Sequence, residues 1–238
     1  MTINKNSPYL TIIPARGGSK GIRGKNLRPL AGTPLIGWSI RQIIESKTAT
    51  RLVVTTDNQE IANYSKSMGA EIIERPSELA DDSATSESAL IHVIHNIPQS
   101  ESHSHIVFLQ ATSPIRFRES IDRAVSQYHT SGRDSIVGVV PVSPFLWTEN
   151  DSRVDPLYNI DNRLRRQDFD HEIVRFRETG SIYITGRGSL LGTSNRISGQ
   201  VGLFKMAKIE GVDIDTELDF QIAEKLIRNL RESGDSTF

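Results

Sequence analysis

A chain of 238 residues is long enough to bury one substantial core. Its 28 basic and 29 acidic residues leave a net charge of -1, so no overall basic field points to nucleic acid or to an anionic membrane surface. The lack of cysteine excludes disulfides, thiolate metal sites and a cysteine nucleophile. The polar first residues lack the apolar core of a signal peptide, and no run approaches membrane-spanning length, so a cytoplasmic location is expected.

Strand-like and helix-like patterns alternate from the start. Leu10 to Ile13 reads as a buried strand ending at Pro14. Thr33-Pro34 offers an N-cap and a first-turn proline for a helix carrying Ile36, Ile40, Ile43 and Ile44. Leu52 to Thr55 is the next strand. Asp57, with Glu60 three residues on, should cap a helix with Ile61, Tyr64 and Met68 on its apolar face, ending at Gly69. Ile72-Ile73, a helix with Leu90, Val93, Ile94 and Ile97, the strand Ile106 to Leu109, a helix with Ile121, Ala124, Val125 and Tyr128, and the strand Ile136 to Val140 continue the alternation. Buried strands separated by amphipathic helices predict an α/β fold, a Rossmann-like core with a mostly parallel sheet.

The rhythm breaks over Pro141 to Arg177, which is rich in charge and has a basic cluster at Arg163, Arg165 and Arg166. The expectation is a single domain over 1–238 with a small inserted segment at about 141–178. Order resumes at Ser181 to Ile184 and ends in a helix capped near Asp215-Thr216, with Ala223, Leu226, Ile227 and Leu230 on one face.

The stretch from Pro14 to Arg28 is the most informative. Four glycines let the backbone turn tightly and present amide N–H groups to an anion, while Arg16, Lys20, Arg23, Lys25 and Arg28 add five positive charges and no acid. The loop follows the first strand, where open α/β sheets bind ligands. These features describe a triphosphate cradle. Two commoner phosphate motifs fail: a Walker A loop needs Ser or Thr where Asn26 stands and glycine where Ser19 stands, and the dinucleotide fingerprint needs glycine at Arg16.

The run PARGGSKGIRGKNLRPLAGTPLI resembles the signature of the acylneuraminate cytidylyltransferases, nucleotidyltransferases that make CMP-activated acid sugars. The resemblance extends through Arg75 to Ala80, Leu109 to Arg116, Arg165 to Asp168 and Val212 to Asp219. It implies transfer of CMP from CTP to the anomeric hydroxyl of a nonulosonic, sialic-type acid, with release of pyrophosphate. It also implies a nucleotide site at Ala15, Arg16, Gly17, Gly18, Ser19, Lys20, Lys25 and Asn26, with Arg75, Ala80 and Ser86 around the cytidine. Within that site Arg16, Lys20 and Lys25 would hold the triphosphate and stabilise the leaving group.

Asp213 and Asp215 alternate along a short extended segment, so both carboxylates can reach one site. Mg²⁺ takes hard oxygen ligands, one or two carboxylates with substrate phosphate and water. Taken alone the pair is weak evidence, since Asp215 is also an expected helix N-cap and Asp219 can pair on the surface. The resemblance implies that the pair binds catalytic Mg²⁺, or Mn²⁺, with Asp215 essential.

Gln110, at the end of its strand, resembles the family's sugar-contacting glutamine. A carboxylic acid sugar needs a cation, and Arg165, Arg166 and Arg177 are the candidates, with Gln167 and Tyr183 adding polar contacts. The resemblance further implies a homodimer built through the inserted segment. The aromatic stretch Ser143 to Trp147, where the family often has lysine, leaves N-acetylneuraminate, legionaminate, pseudaminate and relatives open. The six histidines are expected in solvated or capping roles. Two other readings stand beside this one: a cytidylyltransferase for another acid sugar such as 3-deoxy-manno-octulosonate, and a non-catalytic nucleotide sensor of the same fold. A nucleic-acid module is set aside, because aromatics make up 6% of the chain and form no stripe.

Overall fold

The computed structural model describes residues 8–18, 21–48, 50–81, 83–151, 153–163, 165 and 174–234. In chain order, β1 (Tyr9–Pro14) leads through the basic loop to the short strands β2 (Pro29–Leu30) and β3 (Thr33–Pro34) and to α1 (Leu35–Glu45). Then come β4 (Arg51–Thr56), α2 (Gln59–Ser67), β5 (Glu71–Glu74), α3 (Ser86–Asn96), β6 (His105–Phe108), α4 (Ser120–Ser131) and β7 (Ser135–Val142). The rest of the chain forms β8 (Trp147–Asn150), β9 (Arg153–Pro156), β10 (Arg175–Gly186), α5 (Arg187–Thr193), β11 (Val201–Lys205) and α6 (Glu217–Glu232).

A seven-stranded sheet in the order β11-β7-β10-β6-β1-β4-β5 forms the centre. Successive side chains of a strand point to opposite faces. On β1, Tyr9 and Ile13 join Ile36, Ile40, Ile61, Ala124 and Val125 from α1, α2 and α4. Leu10 and Ile12 face the other way, onto Leu90, Val93 and Ile94 of α3 and Leu190 of α5. Both faces are covered, which is why β1 and β4 read as unbroken apolar runs rather than alternating ones. A third cluster seats α6 beside the β2–β3 pair: Phe220, Ala223 and Ile227 pack with Leu30, Leu35, Trp38 and Ile214.

The sheet is mostly parallel, as expected, with one exception. Neighbouring pairs among β11, β7, β6, β1, β4 and β5 are parallel where they touch, but β10 runs antiparallel to both β6 and β7. The chain leaves β7 at its carboxyl end and re-enters the sheet from the same edge, so the returning strand must point the opposite way. Between these strands β8 and β9 form a separate two-stranded sheet.

Three local expectations are corrected. Thr33 is not the cap and Pro34 is not in the first turn: Thr33-Pro34 pairs with Pro29-Leu30 as β3, and Pro34 stands at the N-cap position of α1 with no side-chain bond. Asn58, not Asp57, caps α2, accepting from the Ile61 N–H at 2.9 Å, because the Asp57 carboxylate is engaged by the Gly17 N–H at 2.8 Å. Two of the histidines are not solvated. His103 is fully buried beside Arg51, and the His105 ring packs among Tyr9, Tyr128 and His129, where burial pushes its pKa down. The strand after the insertion is also longer than Ser181 to Ile184, and α5 and β11 follow it without a clear periodic signal.

Candidate active site

A cavity of about 490 Å³ opens at the carboxyl ends of β1 and β6. Pro14, Ala15 and Arg16 enter it from the end of β1, Lys25 and Asn26 from the following turn, and Ser86 from the start of α3. Gln110, Ala111 and Thr112 line it from the loop after β6, and Asp213 with Asp215 from the segment before α6. Eight residues expected at the site on sequence grounds are thus brought to one cavity from distant parts of the chain.

The basic loop is held by contacts that its glycines permit. A Cβ on Gly21 would lie 2.1 Å from the backbone oxygen of Asp215, so only glycine lets the loop pass this close to the aspartate segment. The Asn26 amide donates to the Arg16 carbonyl at 2.9 Å, and the Ala15 N–H bonds the Thr55 carbonyl. Lys25 is 9% exposed; its ammonium donates to the Ile214 carbonyl at 2.5 Å and lies 3.4 Å from the Asp215 carboxylate. The Arg16 guanidinium donates to the Asp81 carbonyl at 3.0 Å. The Gly17 N–H is taken by the Asp57 carboxylate and not offered to a phosphate.

Asp213 and Asp215 line the cavity while Ile214 between them is fully buried in the α6 cluster. The alternation read from the sequence thus survives, although this segment is irregular rather than a strand. Thr216, next to Asp215, is the N-cap of α6 and shares a capping box with Asp219. The Asp219 carboxylate accepts the Asp215 N–H at 3.2 Å and the Thr216 N–H at 2.8 Å. The Thr216 hydroxyl and these backbone donors hold its pKa below the ordinary carboxylate value. Asp219 therefore positions Asp215 rather than making a surface pair.

The Gln110 loop rests on Arg116, a guanidinium 1% exposed. It donates to the carbonyls of Gln110 and Ser181, to the Ser39 hydroxyl and to the Gln42 side chain. Burial pushes its pKa down to about 9, which leaves it protonated at neutral pH. Facing Gln110 is a bulge in β10. Between the pairs Glu178↔Val139 and Tyr183↔Val137, five steps along β10 pass only two along β7. Gly180, at φ +69°, sits in that bulge, and a Cβ there would lie 2.2 Å from Gln110 Oε1.

Other expected residues lie outside the cavity wall. Arg75 is buried, 7% exposed, donating to the Thr55 carbonyl at 2.7 Å, and burial pushes its pKa down. Its Nε finds no partner among the described residues. Ala80 closes the turn after Ser77, and Gly18 is exposed. Tyr183 stacks behind the cavity-lining Phe108, ring centroids 5.3 Å apart, and its hydroxyl donates to Glu178 at 3.0 Å. Arg177 donates to the Gly211 carbonyl at 2.7 Å, and Arg165 is exposed. Ser19, Lys20, Arg166 and Gln167 lie outside the described residues.

The sequence reading missed Asp57, Gly180 and Arg116 as shapers of the site and left Asp219 unassigned. The signal was present for one of them: a Thr-x-x-Asp at the start of a helix marks a capping box.

Comparison with known proteins matches this arrangement. The family described as cytidylyltransferase covers residues 10–230. The N-acylneuraminate cytidylyltransferase of Oncorhynchus mykiss is 35% identical over 222 residues, 91% of this chain and 49% of that protein. The CMP-N,N'-diacetyllegionaminic acid synthase of Legionella pneumophila is 32% identical over 234 residues, 94% of this chain and 98% of that protein. The chain thus spans about half the length of the fish relative and nearly all of the Legionella one. Among solved structures, CMP:2-keto-3-deoxy-manno-octonic acid synthetase complexed with CTP superposes with a TM-score of 0.70 at 17% identity, covering 93% of this chain and 98% of that one, a likeness of fold. With the family match spanning both the basic loop and the aspartate pair, this chain belongs to the cytidylyltransferase family.

Proposed function

We propose that this chain transfers CMP from CTP to the anomeric hydroxyl of a nonulosonic, sialic-type acid, releasing pyrophosphate. The observation that carries the reading is the convergence of Arg16, Lys25, Gln110, Asp213 and Asp215 on one cavity at the carboxyl edge of the sheet. The named activities of the Oncorhynchus mykiss and Legionella pneumophila relatives point to the same substrates. In the reaction, the sugar oxygen bonds to the α-phosphorus as the bond to the bridging oxygen breaks and pyrophosphate departs. Such a transfer depends on positioning and charge neutralisation. Arg16 and Lys25 supply fixed positive charge for the triphosphate, with Lys20 as a third cation of the loop. Gln110, its backbone fixed by Arg116, orients the sugar.

Asp213 and Asp215 fit a Mg²⁺ or Mn²⁺ ion. They are two hard carboxylate ligands lining one cavity, and among the described residues no group of three or more acids and histidines is arranged to hold a metal, which leaves coordination positions to phosphate oxygen and water. The ion would supply neutralisation of phosphate charge. Lys25, 3.4 Å from Asp215, helps to orient that carboxylate.

A homodimer joined through the inserted segment is part of this reading, supported by the exposed apolar side chains Leu146, Trp147, Val154, Leu157 and Ile160 there. No described helix is long and apolar enough to cross a membrane, and a cytoplasmic setting is proposed with the CTP requirement.

The deciding experiment incubates the chain with CTP, Mg²⁺ and a panel containing N-acetylneuraminate, legionaminate, pseudaminate and 3-deoxy-manno-octulosonate. Product is read by the mass of the CMP-sugar and by pyrophosphate release. Formation of a CMP-nonulosonate is expected; turnover of the eight-carbon acid alone, or CTP binding without turnover, overturns the reading. Asp215→Ala is expected to lower kcat by at least about 10²-fold with the circular dichroism spectrum unchanged, since charge stabilisation of several kcal/mol is lost. Near-normal turnover of this variant at saturating Mg²⁺ would remove Asp215 from the site.

A further inference from the structure

The loop that lines the first cavity through Gln110 to Thr112 also lines a second one through Arg116 and Arg118. This second cavity, about 130 Å³, lies between α1, the loop and α6. Trp38 forms its wall, 4% exposed, with the indole N–H on the Leu30 carbonyl at 3.1 Å. Two guanidinium groups lie against the ring, Arg41 at 5.5 Å and Arg231 at 4.7 Å from its centroid. With Arg116 and Arg118, four arginines line the space against one acid, Glu45, a balance of +3.

Among the described residues, five other arginines are ion-paired: Arg28 with Glu217, Arg51 with Glu71, Arg153 with Asp155, Arg196 with Glu87 and Arg228 with Glu224. Among the described residues, Arg41, Arg118 and Arg231 make no ion pair; the only polar bond of the three runs from Arg231 to the Ala31 carbonyl at 2.8 Å. Arg116 has committed its guanidinium to Ser39, Gln42, Gln110 and Ser181, so it adds charge to the cavity rather than free donors. Like charges gathered against a low-dielectric aromatic wall repel one another and concentrate a positive potential. Guanidinium groups lining such a space have the planar geometry that matches an oxyanion bidentately.

We infer that this second cavity binds a small multiply charged phosphate, inorganic phosphate or pyrophosphate, through Arg41, Arg118 and Arg231. Its volume is about a quarter of the first cavity's, which suits an inorganic anion and not a nucleotide. The site stands apart from the CTP reading. Arg116 and Gln42 nevertheless join it to the Gln110 backbone, the Gln42 amide donating to the Pro114 carbonyl at 2.8 Å while its oxygen accepts from Arg116.

Trp38 supplies a local reporter, because the chain has only two tryptophans and the other, Trp147, is exposed on β8. In the full chain labelled with ¹⁵N, the indole resonance of Trp38 is assigned with Trp147→Phe and followed during titration with pyrophosphate, with phosphate, and with acetate at matched ionic strength. A saturable shift with one or both phosphates is expected, and the tighter of the two identifies the source. The double variant R41Q/R118Q should weaken it at least tenfold. Lys25→Ala, which impairs the first cavity, should leave it in place. No saturable shift, an equal response to acetate, or a shift lost in Lys25→Ala and kept in R41Q/R118Q would overturn the assignment. Both arginines are partly or fully exposed, and an unchanged melting curve verifies that the double variant folds.

Discussion

Gly180 shows how one residue connects a strand to the chemistry of the site. Its φ of +69° is costly for any side chain, and its missing Cβ makes room for the Gln110 amide. Gly180→Ala is expected to cost about 1–2 kcal/mol of stability from the backbone alone. Because the clashing atom is the movable end of Gln110, the larger effect should fall on the sugar. We expect KM for the acid sugar to rise about tenfold, roughly 1.4 kcal/mol of lost binding, with KM for CTP little changed. Steady-state kinetics with each substrate varied, beside urea unfolding, checks both parts; equal rises in the two KM values would argue against a sugar-side role for Gln110. At this scale the sequence pointed to eight residues that line one cavity and was a poor guide to their partners. Asp57 had the spacing of a helix cap, yet Asn58 is the cap, because a glycine 40 positions away claims the Asp57 carboxylate. Tyr183 had the polar chemistry of a sugar contact, yet the structure buries it behind Phe108 with its hydroxyl on Glu178.

Among the elements, the junction of α1 and α4 is the most concentrated. Asp122 of α4 accepts from the Ser46 hydroxyl at 2.6 Å, the Lys47 N–H at 3.1 Å, and the Thr48 N–H and hydroxyl at 2.8 and 2.7 Å, capping the chain as it leaves α1. Burial would raise its pKa, but these bonds outweigh burial and hold it below the ordinary value of 3.8. A depressed folded pKa means that the unfolded chain binds the proton more tightly. The stabilisation is therefore full above the unfolded value and is lost as pH falls through the lower folded one. Asp122→Ala is expected to cost about 2 kcal/mol at pH 7, and the gap from wild type should narrow below about pH 4. Urea midpoints at pH 7 and pH 3 test this; a gap that stays constant would show that the contribution does not depend on ionisation. None of these partners was legible locally, because Ser46 to Thr48 and Asp122 are more than seventy residues apart. The helices themselves were legible, since their apolar spacing is a property of a dozen neighbouring residues.

For the molecule as a whole, the carboxyl edge of the sheet depends on a few buried polar ties. Glu210 is 1% exposed and accepts from the Phe117 N–H at 2.9 Å, the Ser120 hydroxyl at 2.5 Å and the Ala207 N–H at 2.9 Å. It thereby fastens the segment leading to Asp213 against the start of α4. Glu210→Ala leaves three donors without their acceptor and is expected to lower stability by about 3 kcal/mol, with Glu210→Gln in between. Thermal melts rank the three proteins, and an alanine variant as stable as wild type would show that water replaces the carboxylate.

The sequence by itself determined the alternation of buried strands and amphipathic helices, the glycine-rich basic loop after β1, and the spacing of Asp213 and Asp215. Each is a local pattern, set by the period of a strand or helix or by the charge of a short run. Only the tertiary structure decided that β10 runs against its neighbours and bulges at Gly180, that Lys25 meets Asp215, and that Arg116 lies buried beneath Gln110. It also decided that unpaired arginines gather around Trp38. These are contacts between residues brought together only when the sheet closes, and no window of neighbouring residues encodes which distant atom will satisfy a given donor.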